Sequence, residues 1–247
     1  MKNIKLIILI GLLSNSYLLF AQQIQTDRPT ETESPSAISD GHLQIENGFS
    51  FEQLDDEKTY EVPQIVLRYG LFKNAEIRVE TAYEVNHNIQ EKLRGIKPVV
   101  LGVKYHLFNH KGAIPDIGIL GRLSLPWLAD NSLKEKKYSP EIRLLVQHGL
   151  SKKTHVGYNI GVQWLDENSS HSQYIYSLSA DHATTKKIKL VAEAYGFAEH
   201  GHHAQNTADL AVLYLINNNF QLDLIGGSGI MHSPQQKFVE LGLSFRI

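Results

Sequence analysis

The sequence predicts an all-β fold, an antiparallel, up-and-down transmembrane β-barrel of about 12 strands that follows a signal peptide. Three observations support this fold class. An apolar leader with basic residues opens the chain, apolar residues recur at every second position beyond about residue 43, and the links between these runs alternate in length.

The leader has the layout of a secretory signal peptide. Lys2 and Lys5 supply its positive region, residues 4–20 are mostly apolar, and Ala21 ends a small-residue cleavage site. A signal anchor is the alternative, but a polar pair beginning at Asn15 interrupts the apolar run. We therefore expect three parts: a signal peptide at 1–21, a periplasmic lead-in or plug at 22–42, and a barrel at 43–247.

Composition restricts the classes of function. The chain is 42% hydrophobic and 20% charged, which suits a membrane barrel because only alternate residues of its strands need to be apolar. A formal net charge of -2 gives no reason to expect nucleic acid as a partner. Cysteine is absent from the sequence, which excludes disulfides, thiol nucleophiles and thiolate metal sites. We expect no cofactor and no resident metal; the expected partners are outer-membrane lipid, the barrel-assembly machinery and a small-molecule solute.

The alternation is clearest over residues 75–85. Ile77, Val79 and Tyr83 occupy odd positions, whereas Glu76 and Glu80 occupy even ones. A helix would scatter the apolar residues around its surface, but a strand separates the two sets onto opposite faces. Similar runs, most near the ten residues that a tilted membrane strand needs, extend to the C-terminus.

The links between the runs alternate between compact and long. Compact, turn-forming links are predicted at 70–74, 148–154 and 216–219. Longer polar links are predicted at 53–61, 86–98, 128–139, 165–171, 198–206 and 229–236. Short periplasmic turns and long external loops are typical of bacterial outer-membrane barrels. A soluble β-sandwich or lipocalin-like barrel also alternates, but the dense charged face and the strand running to Ile247 favour the membrane barrel.

Two segments carry a family resemblance. Gln25-Thr26-Asp27-Arg28-Pro29, then Glu33-Ser34-Pro35, precede the strand Gly41-His42-Leu43-Gln44-Ile45-Glu46-Asn47-Gly48-Phe49. Leu67-Arg68-Tyr69-Gly70-Leu71 and Glu76-Ile77-Arg78-Val79 follow as a hairpin. Over residues 25–80 the chain resembles the outer-membrane transporter-like family named for the meta pathway of phenol degradation. The resemblance implies transport across the outer membrane, with aromatic or other hydrophobic small molecules as cargo.

Charged residues of both signs are expected to line the lumen. Two interpretations remain open: a salt-bridged interior that fills a narrow barrel, or a constriction whose charges select solutes. The candidate lumen-lining residues are Glu46, Arg68, Glu76, Arg78, Glu80, Lys104, Arg122, Arg143, Glu193, Asp209, Glu240 and Arg246.

Residues 22–42 are too polar and too rich in proline to form a strand. We expect Asp27, Arg28 and Pro29 to enter the periplasmic mouth as a short plug or gate, with Arg28 meeting a carboxylate such as Glu46 or Glu76. A flexible lead-in is the alternative.

The sequence predicts an outer-membrane transporter or channel rather than an enzyme. A non-transporting barrel that supports the envelope or binds partners is one alternative. A membrane-embedded lipid hydrolase is another, with His148 and Ser151 as the residues to consider, but the sequence lacks an evident set of nucleophile, base and oxyanion donors.

Histidines in two predicted loops raise the question of a metal site. His200, His202 and His203 lie close together in sequence, and His232 follows in the next long loop. Imidazole is a common metal ligand, but the glycine-containing, exposed context favours a solvated polar loop, and no metal site is predicted.

Overall fold

A computed structural model describes residues 23–88, 92–111, 114–165, 172–231 and 233–247. The expected signal peptide lies outside these residues. No helix in the described ranges is long and apolar enough to cross a membrane. The strands are β1 (Leu43–Leu54), β2 (Glu57–Phe72), β3 (Ala75–His87), β4 (Lys92–Ile96), β5 (Val99–Phe108), β6 (Asp116–Leu125), β7 (Ser139–Gly149), β8 (Thr154–Trp164), β9 (Ser172–Ala183), β10 (Ile188–Glu199), β11 (Gln205–Asn217), β12 (Phe220–Ile230) and β13 (Gln236–Arg246), with a 3-10 turn at Pro126–Leu128.

The sheet closes on itself. Strand β1 pairs antiparallel with both β2 and β13, and successive strands from β5 to β13 also pair antiparallel. Strand β3 completes the ring by pairing with β2 on one side and with β4 and β5 on the other. Closure leaves every full-length strand with two partners, which removes the exposed edges that a membrane barrel must avoid.

Strands β4 and β5 together occupy one position in the ring. Residues Tyr83–His87 of β3 pair with β4, and residues Ala75–Glu80 pair with β5. The barrel therefore has twelve strand positions, which confirms the predicted all-β, up-and-down fold of about 12 strands.

The predicted long link at 53–61 is wrong. Strand β1 runs to Leu54 and β2 begins at Glu57, so the two join through a tight turn in which Asp55 has a φ of 52°. The link at 86–98 is also too broad, because β4 lies within it. Strand β2 has 16 residues, more than the roughly 9–11 that a membrane crossing needs. The polar residues at the start of β2 continue the strand beyond the apolar band. Because the strand there no longer faces lipid, its sequence resembles that of a loop.

Most large apolar side chains face outward, whereas the inner face holds the buried charged and polar side chains together with some apolar ones, such as Leu120 and Ile225. Leu210 and Ile160 are 69% and 63% exposed, whereas Gln44 and Lys104 are fully buried. Such an exposed apolar surface suits lipid rather than water. This inverted arrangement excludes the soluble sandwich and lipocalin-like alternatives, whose interiors are apolar.

The links between strands lie at two opposite ends of the barrel. The links at 73–74, 150–153, 184–187 and 218–219 mark what we call the turn end. The opposite end, with the links at 126–138 and 200–204, is called the loop end. Both Leu43 and Ile247 lie at the turn end, where their backbones exchange hydrogen bonds of 3.0 and 2.8 Å.

Candidate functional site

Residues 23–42, here called the N-terminal segment, enter the barrel from the turn end and return to it. The backbone N–H of Ile24 donates to the carbonyl of Asn218 in the β11–β12 link at 2.8 Å. Farther along, Gly41 N–H donates to the carbonyl of Gly70 at the end of β2 at 2.9 Å. Between these two points the chain reverses inside the lumen, and Asp27 and Glu33 are each only 5% exposed.

Side chains of the barrel wall satisfy the backbone of this segment. The two oxygens of Glu193 accept the N–H groups of Glu31 at 2.9 Å and Thr32 at 2.6 Å. In the same way Asn159 accepts the N–H of Glu33 at 2.7 Å. A segment without regular secondary structure needs such acceptors when it is buried. The polar lumen therefore replaces the hydrogen bonds that a strand or helix would have made.

Glu76 performs the same task near the turn end. One of its oxygens accepts the N–H of Ile38 at 2.7 Å, and the carboxylate also accepts two hydrogen bonds of 2.9 Å from Arg68. Arg68 donates to Glu46 as well, at 2.8 Å. Three predicted lumen residues on β1, β2 and β3 thus form one buried unit.

Two carboxylates of the N-terminal segment meet a cluster of wall cations. Asp27 Oδ2 lies 2.5 Å from Lys104 Nζ, 3.0 Å from Arg68 and 3.3 Å from Arg78. Its neighbour in the cluster, Glu33, contacts Arg78 at 2.7 Å and Lys104 at 3.1 Å. Charge-assisted hydrogen bonds of this kind are among the strongest polar contacts in proteins. They fix the segment against β2, β3 and β5.

Glu33 is held in its ionised form. Burial by itself would raise the pKa of this carboxyl group, but Arg78, Arg122 and Lys104 outweigh that effect and keep the pKa well below its ordinary value. The group therefore carries its negative charge at neutral pH.

The side chain of Arg28 meets lumen carboxylates, but these are not the ones that the sequence suggested. Its guanidinium donates to Gln64 at 2.6 Å and to Glu240 at 3.2 Å, and it lies 3.7 Å from Asp223. Only the backbone N–H of Arg28 reaches Glu46, at 3.1 Å. The expected pairing of the side chain with Glu46 or Glu76 is wrong because Arg68 already occupies both carboxylates.

Gly48 makes room for this arginine. A Cβ atom added at Gly48 would lie 2.4 Å from the guanidinium carbon of Arg28. Any side chain at this position of β1 would displace the guanidinium from its partners.

The ion pairs continue along the wall toward the loop end. Arg122 contacts Glu80 at 3.1 Å and Glu141 at 2.9 Å, and it also pairs with Glu33. Arg143 contacts Glu141 at 2.6 Å and, within the N-terminal segment, Glu31 at 2.6 Å. Each of these arginines therefore joins a wall carboxylate to the segment.

Arg246 is the predicted lumen residue nearest the C-terminus. It sits at the turn-end rim, where its guanidinium donates to Asn219 of the β11–β12 link at 2.9 Å. The alternation placed Arg246 on the inner face but could not show that it lies at the mouth of the barrel.

Several polar residues that the sequence reasoning did not single out take part in the site. Glu141 falls two residues before Arg143 and shares its face, so the alternation alone could have identified it. Gln64 and Asn159 are neutral, whereas the candidate lumen residues were chosen for their charge. Glu33 was noted only as part of the family resemblance.

The charges are distributed unevenly around the lumen. Arg68, Arg78, Lys104, Arg122 and Arg143 project from β2, β3, β5, β6 and β7. On the opposite wall, the central inward residues of β10–β13 include the buried carboxylates Glu193, Asp209 and Asp223, followed by Glu240. Among the described residues, the ion pairs found for these four carboxylates are those of Asp223 and Glu240, and both are made with Arg28.

The N-terminal segment separates two chambers. The turn-side chamber, of about 310 Å³, is bounded by the segment and by Lys152, Asp181, Lys186 and Lys189. The loop-side chamber, of about 350 Å³, has Arg28–Glu31 at its base and Glu61, Lys97, Tyr195, Asp209, Phe238 and Glu240 in its walls. Pro29 borders both chambers. A solute that passes along the barrel axis must therefore pass the segment.

The loop histidines lie at the loop end. His202 and His203 border a third cavity of about 430 Å³ with Glu199 and Gln173. Within the described ranges, no three His, Cys, Asp or Glu side chains are grouped so as to hold a metal ion. His232 lies outside the described residues.

The two residues considered for hydrolysis have separate local contacts. His148 stacks on Tyr158 with ring centroids 5.9 Å apart, and Ser151 Oγ accepts the N–H of Lys153 at 3.1 Å. Ser151 belongs to the β7–β8 link at the turn end.

These features define a bacterial outer-membrane β-barrel with an N-terminal segment folded into its lumen. The chain belongs to the family described as "Putative MetA-pathway of phenol degradation", whose profile matches residues 26–247. The predicted family and the outer-membrane location are both confirmed. No curated protein matches the chain in sequence.

Solved structures share the fold at low sequence identity. An outer membrane channel from Pseudomonas putida F1 is 12% identical, with a TM-score of 0.67 over 89% of this chain and 100% of the other. The KdgM porin in complex with disordered oligogalacturonate is 10% identical, with a TM-score of 0.58 over 82% and 98%. The translocator domain of the autotransporter NalP from Neisseria meningitidis is 10% identical, with a TM-score of 0.55 over 85% and 90%.

Proposed function

We propose that the protein is an outer-membrane channel for small molecules whose passage is gated by its own N-terminal segment. One observation carries the proposal: residues 23–42 lie between two chambers of a closed barrel and are held there by hydrogen bonds and ion pairs rather than by strand pairing. Polar contacts of this kind can be exchanged for water, so the segment can leave its place without any change in the barrel wall.

In this proposal, the charged side chains that line the lumen select the solute. Rings or opposed walls of charged side chains set selectivity in narrow pores. The loop-side chamber also contains Tyr195 and Phe238, which give it an aromatic wall. Family membership and this wall support small aromatic compounds as the transported class, with polar or charged substituents that suit the carboxylates and arginines.

A channel accounts for the arrangement better than the alternatives. In a merely structural barrel the two chambers would have no role. A lipid hydrolase would need a nucleophile and a base in mutual reach, whereas His148 and Ser151 are occupied by different neighbours. We therefore propose that the protein is not an enzyme.

Conductance in a planar lipid bilayer tests the proposal. The mature chain is refolded and compared with a variant that lacks residues 23–40, and heat-modifiable migration serves as the control for barrel folding. We expect brief or small openings in the full chain and a larger, more persistent conductance in the variant. Equal conductance in the two proteins would refute the gate. Silence in both, with folding intact, would favour a non-transporting barrel.

A further inference from the structure

Four residues form a row across the acidic wall. Glu193, Asp209, Gly227 and Phe238 are aligned in register on β10, β11, β12 and β13. A Cβ atom at Gly227 would lie 2.6 Å from Cε1 of Phe238 and 2.7 Å from Cβ of Asp209. The missing side chain at Gly227 therefore lets the ring and the carboxylate converge on the loop-side chamber.

Asp209 lacks a hydrogen-bond donor within the part of the chain that the structure describes. The residue is 5% exposed, and neither of its carboxylate oxygens has a hydrogen-bond partner among those residues. Its row neighbour Glu193 is itself an acid and uses its oxygens on the backbone of the N-terminal segment. A buried carboxylate without a partner is strongly unfavourable unless a positive charge or a proton comes to it.

The surroundings of Asp209 are aromatic and apolar. Tyr195, Ile225 and Phe238 line the same chamber, and Ile225 and Phe238 also belong to an apolar cluster on this wall. An aromatic ring face attracts a cation, most strongly when water is excluded.

The basic residues of the chamber already have partners. Arg28 pairs with Glu240 at 3.2 Å, and Lys97 pairs with Glu61 at 2.5 Å. Arg122 is held by three carboxylates, two of which are Glu80 and Glu141. Because these basic residues are already paired with other carboxylates, Asp209 remains available to a ligand.

We propose that the loop-side chamber binds a small aromatic amine, with its ammonium group on Asp209 and its ring beside Tyr195 and Phe238. The chamber volume of about 350 Å³ lies within the range of small-molecule sites. The inference deepens the proposed function, on which it rests, by naming an organic cation as the solute class.

Calorimetric titration of the detergent-solubilised mature protein tests this site. Benzylammonium, benzyl alcohol and phenylacetate have similar rings and differ in charge. We expect benzylammonium to bind at least about tenfold more tightly than the other two, because only the cation compensates Asp209. Equal affinities, or a preference for phenylacetate, would overturn the proposal, and so would the absence of binding by all three. A carboxyl group that is simply protonated would give one of these negative results.

Two matched variants locate the binding. Asp209→Asn keeps the shape of the side chain and removes its charge, so benzylammonium affinity should fall at least about tenfold. Asp181→Asn makes the same change in the turn-side chamber and should leave the affinity unchanged. An equal effect of both variants would show that the cation responds to overall charge and would refute the site. The preference among the three wild-type ligands provides a test even if Asp209→Asn does not fold.

This test is independent of conductance. If the barrel never conducts but binds benzylammonium preferentially, the proposed channel function is refuted and the proposed binding site is supported. If the barrel conducts but binds all three compounds alike, the proposed channel function is supported and the proposed binding site is refuted.

Discussion

The ammonium group of Lys104 lies 2.5 Å from Oδ2 of Asp27, and the two side chains are 0% and 4% exposed. This contact joins the wall of the barrel to a buried part of the N-terminal segment. Lys104 also donates to the carbonyl of Ser34 at 3.0 Å, so one wall cation holds both arms of the inserted chain.

Lys104→Met should loosen the segment. Removing one partner of a buried ion pair costs roughly 3–5 kcal/mol, and here the loss should be smaller because Arg68 and Arg78 still face Asp27. Urea unfolding followed by tryptophan fluorescence measures the stability, and bilayer recordings measure the expected increase in open time. Lys186→Met, in the exposed β9–β10 link, is the control and should change stability by less than about 0.5 kcal/mol. Equal effects of the two substitutions would contradict the role given to Lys104.

Glu193→Gln should release part of the segment from β10. A glutamine side chain has one acceptor oxygen and one amide donor, so it cannot accept the N–H groups of both Glu31 and Thr32 as the carboxylate does. We expect hydrogen exchange at these two amides to become about tenfold faster, since a lost charge-assisted hydrogen bond is worth about 1.4 kcal/mol or more. The amide of Ile38, which Glu76 accepts, is the internal reference. Unchanged exchange at positions 31 and 32 would argue against the anchor.

Gly48→Ala should change gating with little effect on barrel stability. The new Cβ would overlap the guanidinium of Arg28, which can swing away because it ends a flexible side chain. Displacement breaks the contacts with Gln64 and Glu240, so longer openings are expected in single-channel recordings. Gly226→Ala is the matched control, since its nearest neighbour would be 3.6 Å from the added atom. Indistinguishable recordings from the two alanine variants would count against a gating role for Arg28.

Protonation of Glu33 should weaken the gate as pH falls. The pKa of Glu33 in the folded protein lies below its ordinary value, since Arg78, Arg122 and Lys104 outweigh the burial that alone would raise it. Its ion pairing therefore contributes fully above the ordinary carboxyl range and is lost as pH falls through the lower folded value. Conductance as a function of pH measures this effect. Glu33→Gln should show the open behaviour at neutral pH, and a normal closed state in this variant would contradict the assignment.

Leu210→Arg should impair insertion into the membrane. Leu210 is 69% exposed near the middle of β11 and faces outward. An arginine at the centre of the apolar band costs about 2–4 kcal/mol in a membrane barrel. Folding yield into lipid vesicles measures the effect. Met231→Arg, at an 82% exposed site beyond β12, is the control, and an equal loss in both variants would mean that the position of the apolar band is wrong.

The strands were predictable from the sequence because an inverted barrel repeats one local rule. The alternation in residues 75–85 assigned Ile77 and Val79 to lipid and Glu76 and Arg78 to the lumen, and the strand Ala75–His87 follows it. The rule failed at 53–61, where both faces are polar because the strand extends past the lipid.

The partners inside the lumen were not predictable from the same rule. Alternation assigns a side chain to a face but does not give its height along the barrel axis. Arg28 and Glu240 are 212 positions apart in sequence, and only the closed barrel brings them to the same level. The sequence could therefore suggest that Arg28 meets a carboxylate but not which one.

The position of the N-terminal segment has a consequence for the order of biogenesis. Its contacts come from opposite ends of the chain, since Arg28 is held by Gln64 of β2 and by Glu240 of the last strand. The N-terminal segment precedes the strands in the chain but reaches its native place only after the final strand has paired. Docking of the segment is a late event that reports completed closure, and until then its carboxylates and Arg28 remain in contact with water.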